Sequence, residues 1–140
     1  MKPYLNTVLL AGALLGASAC AVHTHSTAIN PELARGPTCQ NAVEIYTSRA
    51  DVPSDYRELA WIDAKGNSVW TTDAQMRGEM QKRAAEDGAN GLIANPVDQN
   101  KTGVNIIGEA VGAHTATAKS SGLAIWIPGR SARTRQLCGT

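Results

Sequence analysis

The side chains able to do chemistry in this chain are few and scattered. His23-Thr24-His25 sets two imidazoles two residues apart, a pattern suited to Cu(II) or Zn²⁺, yet no carboxylate follows before Glu32. Two ligands on one segment do not close a metal site. His114 stands in a Thr- and Ala-rich run without neighbouring carboxylates. A hydrolase built on it would need Ser120 or Ser121 as nucleophile and a distant Asp, and neither serine lies in a G-x-S-x-G elbow. Cys39 with His114 formally makes a thiol nucleophile and its base, but an exported pair of cysteines more often forms a structural disulfide. Gly108-Glu-Ala-Val-Gly112 matches neither the dinucleotide fingerprint nor the P-loop. Asp51, Asp55 and Glu58 lie beside a turn, where acids usually form a solvated surface. Arg130, Arg133 and Arg135 either meet anionic headgroups or keep a tail soluble, and the second reading is the better one. The expectation is therefore a protein that is not an enzyme, with no catalytic residue, no cofactor and no resident metal.

Charge excludes a further class. Lys+Arg number 13 against 12 Asp+Glu, for a net charge of +1, which gives no electrostatic reason to expect a nucleic acid or a strongly acidic partner.

The three cysteines carry more information than any of these groups. Lys2 precedes an uncharged stretch, Val8 to Ala17, and then Ser18-Ala19-Cys20, which reads as a secretory leader over residues 1–19. The stretch falls short of the about 20 apolar residues that a membrane-spanning helix needs. Ala17-Ser18-Ala19 is an A-x-A site for ordinary signal peptidase, whereas the small residues before Cys20 resemble the bacterial lipobox, in which that Cys is acylated and becomes the mature N-terminus. Three Cys is an odd number, and in an exported protein the odd one needs its own explanation. Lipid on Cys20, palmitate included, supplies that explanation and leaves Cys39 and Cys138 as a disulfide pair. In the alternative, a soluble periplasmic protein, Cys20 is a spare thiol or pairs with Cys39. Ala21 stands where lipoproteins retained at the inner membrane commonly carry Asp, so the lipobox reading points to the outer membrane, with the domain facing the periplasm.

Elements that would position these residues follow from periodicity and punctuation. Residues 20–38 are small and polar with Pro31 and Pro37, and read as lipid anchor and flexible tether with a span of roughly 20–25 Å. The folded domain is expected over residues 39–140. Val43 to Thr47 alternates as a strand with Val43 and Ile45 on one face. Arg57 to Asp63 is a second strand, with Leu59 and Trp61 on one side and Ala60 and Ile62 on the other. Lys65-Gly66-Asn67 then predicts a hairpin into Ser68-Val69-Trp70. Thr72 to Gly88 is the clearest helix: Thr72-Asp-Ala-Gln75 fits a capping box, Gly88 fits a left-handed stop, and Met76, Met80 and Ala84 make an apolar face. Glu79 and Arg83 have the spacing of a favourable charged pair. Leu92 to Asn95 is a short strand completing a β-α-β crossover, and Leu123 to Ile127, apolar on both faces, is an interior strand. Lys101 to Gly122, rich in Gly, Ala and Thr, reads as a long hairpin arm or loose edge strand.

Val43-Glu-Ile-Tyr-Thr-Ser48, Leu59-Ala-Trp-Ile62 and Met80 to Ile93, which contains Gly88-Ala-Asn-Gly91, resemble small bacterial envelope lipoproteins of the RcsF-like layout. The likeness is nearest to lipoproteins with a Cys near each end of the domain, and it covers roughly residues 43–93. The combined expectation is an α+β fold, a small mixed sheet of four to five strands on one main helix in the order β-β-β-α-β-β. The expected role is non-enzymatic: an outer-membrane lipoprotein held to the membrane by its N-terminal lipid, with an interaction or sensing function toward an envelope protein partner. The alternatives are an assembly accessory of another envelope complex, working through the Lys101–Gly122 arm, and a small-ligand binder or hydrolase using His114.

Overall fold

A computed structural model describes residues 22–67, 70–100 and 117–139. In chain order the elements are β1 (His23–Ala28), β2 (Glu44–Tyr46), β3 (Arg57–Gly66), α1 (Asp73–Glu86), β4 (Gly91–Ala94), β5 (Asp98–Asn100), β6 (Thr117–Trp126) and α2 (Ser131–Cys138). The fold is α+β. Five strands run β1-β3-β6-β4-β2 across one mixed sheet, with β2 parallel to β4 and the other pairs antiparallel; the short β5 joins β6 beyond the end of β4.

Helix α1 forms where the sequence predicts it. The Thr72 side chain accepts from the Gln75 N–H, and the Gln75 side chain accepts from the Thr72 N–H, so two otherwise orphaned donors are satisfied at the first turn. Met76, Met80 and Ala84 are wholly buried against the sheet, each methionine contributing about 1.5–3 kcal/mol through its apolar area. The approach is close at β6: a Cβ on Gly122 would stand 2.9 Å from the Met80 methyl. The opposite helix surface departs from expectation, since Arg83 turns to Glu86 (3.3 Å) and Asp87 (3.7 Å) instead of Glu79.

After α1 the chain reverses at Gly88, whose φ of 81° is costly for any residue with a side chain, and enters β4 through the buried Asn90. β6 is an interior strand, as the doubly apolar Leu123–Ile127 predicts, but it begins at Thr117, so residues 118–122, read as part of a hairpin arm or loose edge strand, pair with β3 inside the sheet.

Two further expectations are corrected. The segment read as a flexible tether is, in its described part, integral to the domain: β1 pairs antiparallel with β3 from His23↔Lys65 to Ala28↔Ala60, Pro31–Leu33 makes a 3-10 turn, and the Thr38 N–H donates to the Ala85 carbonyl at 2.8 Å. Backbone ladder bonds do not need an apolar side-chain face, which is why a polar run can serve as an edge strand. The hairpin expected into residues 68–70 falls partly on residues 68 and 69, which lie outside the described residues; among the described residues β1 and β6 pair with the two edges of β3, and the Asn67 side chain accepts from the Trp70 N–H. The basic tail is helix α2, not a solvated coil.

Helix α2 docks through specific partners. Thr134 meets the Asn90 side chain at 3.2 Å, and Arg130 and Arg133 donate to one Glu44 carboxylate oxygen at 2.7 and 3.0 Å. Cys138 is bonded to Cys39, with the Cα atoms 5.4 Å apart.

Candidate functional site

The two faces of the sheet differ. One carries Ala60, Ile62, Ala64 and Leu92 beneath α1. The other divides along the strands. Toward the β4/β2 end of the sheet it is apolar, with Tyr46, Ile93, Leu123 and Ile125 covered by Ile29, Val52 and Tyr56. Toward the start of β1 it is polar and exposed.

Register sets that polar half into rows. His23 faces Lys65, Lys65 faces Lys119, and Lys119 faces Asp98. In the next row His25 faces Asp63, and Asp63 faces Ser121. In the third, Thr27 faces Trp61 and Trp61 faces Leu123. His23, His25, Asp63, Lys65 and Lys119 are exposed and line a groove of about 370 Å³. Trp61 is 45% exposed where this half meets the apolar one.

A β-bulge between Glu58 and Ala60 produces this exposure. It turns Leu59 into the helix-side core with Ala60, so that Trp61 stands on the outer face without Leu59 beside it. Simple alternation, which puts Leu59 with Trp61, fails at that step. The Trp61, Asp63, Lys65 spacing was nevertheless a legible outward stripe.

The other sequence candidates disperse. Cys20, His114 and the Gly108–Gly112 segment lie outside the described residues, as does most of the Lys101–Gly122 arm. His23 and His25 share a face with Asp63, but among the described residues no group of three or more His, Cys, Asp or Glu is placed to hold a metal. Ser120 donates to the Asn95 carbonyl at 3.1 Å, and the Ser121 hydroxyl accepts from the Asn95 amide at 2.8 Å. Thr47, donating at 2.7 Å, and Ser48 hold the Asp51 carboxyl below its usual range, while Glu58 pairs with Arg49 and raises it. Val43 and Ile45, expected on one face, differ: Val43 is buried, as is Tyr46, whereas Ile45 is 36% exposed on β2, an edge strand among the described residues.

A smaller groove of about 230 Å³ lies between Leu33, Arg35, Arg57, Leu59, Trp126 and Pro128. There the Arg35 guanidinium sits 3.7 Å over the Trp126 ring, a cation–π contact that fastens the 3-10 segment to the end of β6.

Among the described residues no helix is long and apolar enough to cross a membrane. No family model matches the chain, and no curated protein does. Among solved structures it is similar to the Francisella virulence factor FvfA in its orthorhombic crystal form, with a TM-score of 0.54 over 74% of this chain and 97% of that one. At 13% identity this likeness shows the fold alone.

Proposed function

We propose that the chain is a non-enzymatic outer-membrane lipoprotein, anchored through an acylated Cys20, whose periplasmic domain binds another envelope protein in an interaction or sensing role. The observation that carries the binding role is Trp61. A large aromatic ring left 45% exposed on a rigid sheet, flanked by Thr27 and bordered by polar rows, has the composition of an interface centre with a polar rim. The anchor is supported by the cysteine count: Cys39 and Cys138 are joined to each other, which leaves Cys20 for lipid.

Photo-crosslinking in intact cells tests the binding role. Probes at Thr27 and Trp61 are expected to give one discrete adduct that a probe at Glu79, on the far side of α1, does not give. Trp61→Ala should remove the adduct formed from position 27 without lowering the melting temperature. Equal labelling from all three positions, or none, would sink the proposal. For the anchor, Cys20→Ala should abolish palmitate incorporation, and an unchanged signal would refute it.

A further inference from the structure

The geometry points to a second docking surface: the row His23, Lys65, Lys119, together with Trp70, seats the sheet end against anionic phospholipid headgroups of the leaflet that holds the anchor. The inference rests on acylation of Cys20.

Three independent features meet at this one end of the sheet. The first is charge. Lys65 and Lys119 are direct cross-strand neighbours on the exposed face, with His23 next to Lys65 on the edge strand. Among the described residues neither lysine is ion-paired. Asp98 stands opposite Lys119, and Asp63 lies one row in, opposite His25; Lys65 itself is flanked in its row only by His23 and Lys119. Adjacent strands lie about 4.8 Å apart, so two ammonium groups can share one phosphate. Placing two like charges in direct register costs stability on a sheet, and a bound anion removes that cost.

The second feature is the indole. β3 ends at Gly66, and the Asn67 turn sets Trp70 just past it; Trp70 is the most exposed large hydrophobic side chain among the described residues, at 56%. An indole combines an apolar body with an N–H donor, the chemistry favoured at the level of lipid headgroups.

The third is covalent reach. Three peptide steps separate Cys20 from His23, a span of at most about 11 Å at 3.8 Å per step. Acyl chains on Cys20 therefore hold the start of β1 at the membrane surface, and the neighbouring lysines and Trp70 arrive there with it. The occupant these features select is the headgroup layer, a surface of fixed negative charge beneath which an indole can rest.

The test uses the purified acylated protein in vesicles whose phospholipids carry brominated chains, with phosphatidylglycerol mixed into phosphatidylcholine or phosphatidylcholine alone. Tryptophan emission should be quenched in the anionic vesicles, and Trp70→Phe should remove that quenching. Lys65→Gln with Lys119→Gln should release it, the docking equilibrium falling about 25-fold at roughly fivefold per lysine, with the melting temperature not lowered. Emission equal in both vesicle types, or a double variant quenched like the parent, would overturn the inference. Reversal by millimolar inorganic phosphate would also overturn it, by showing a soluble-anion site. Mass spectrometry keeps the two readings apart: acylated protein with unquenched Trp70 removes this inference alone, whereas protein without acyl mass on Cys20 removes both.

Discussion

Asn90 meets Ile127 as a neighbouring strand would, its side-chain carbonyl accepting from the Ile127 N–H at 2.7 Å and its amide donating to the Ile127 carbonyl at 3.0 Å. The same amide reaches Thr134 in α2, so one buried side chain closes the end of β6 and receives the C-terminal helix. Asn90→Ala leaves a buried N–H and a buried C=O without partners. It should cost about 2–6 kcal/mol, each of the two orphaned groups carrying about 1–3 kcal/mol, read as a lower denaturant midpoint. A variant within 0.5 kcal/mol, the ordinary range of surface substitutions, would show that water replaces the amide.

The Cys39–Cys138 bond closes a loop with a sequence separation of 99. In the chain-entropy model a closure of that size is worth up to about 4.7 kcal/mol. Reductant should lower the melting temperature of the native protein, and Cys138→Ala should lower it similarly and abolish the response to reductant. Quantitative labelling of both thiols in the untreated native protein would refute the pairing.

Burial, then the hydrogen bond its hydroxyl donates to Glu44, then the Glu44 charge, push the Tyr46 phenol above its usual value of 10.0, against smaller opposing effects of Arg130 and Arg133. Below pH 10 both folded and unfolded chains keep the proton, and the stabilisation is fully present. Above it the unfolded chain ionises first and binds fewer protons than the folded one, so stability falls as pH rises through the folded value. Tyrosinate absorbance should show the Tyr46 phenol titrating above the usual tyrosine value. Tyr46→Phe should remove that late step and flatten the alkaline loss of stability.

Two glycines should respond in opposite directions. At Gly78, inside α1, an added Cβ meets nothing within 4 Å, and Gly78→Ala should stabilise by about 0.5–1 kcal/mol through helix propensity. At Gly88 the backbone is left-handed and a Cβ would come within 2.7 Å of the Arg35 Cβ and 2.9 Å of the Gly36 carbonyl. Gly88→Ala should destabilise by about 1–3 kcal/mol, or more if the 35–36 segment cannot move. Paired thermal melts check both signs.

What was legible in the sequence was local. Thr72, Gln75, Met76, Met80, Ala84 and Gly88 define α1 through contacts within one or two turns, and the apolar run Leu123–Ile127 marks an interior strand by composition. What was missed depends on distant partners. β1 has no apolar stripe, and only the vacant edge of β3 makes a strand of it. α2 looks like a polar tail until Asn90, Glu44 and Cys39, far away in the chain, supply its docking points. The exposed face was misjudged for a subtler reason, because the single bulge at Glu58/Ala60 shifts the side-chain alternation by one residue and carries Leu59 inward. The Arg130–Thr134–Cys138 spacing, one residue every helical turn, was the local signal for α2 that the crowding of arginines obscured.

The position of β1 has a mechanical consequence. A pull on the chain ahead of His23 is borne first by the ladder between β1 and β3, since among the described residues β1 is bonded along one edge only. Residues 39–138 form a covalently closed ring that begins beyond that ladder. Under tension the edge strand peels away before the ring is loaded, and each residue released from β1 lets the domain stand up to about 3.5 Å farther from the point of pull. The same six residues that hold the sheet close at rest are thus a reserve of length, and the bonded remainder of the domain keeps its shape while that reserve is drawn out.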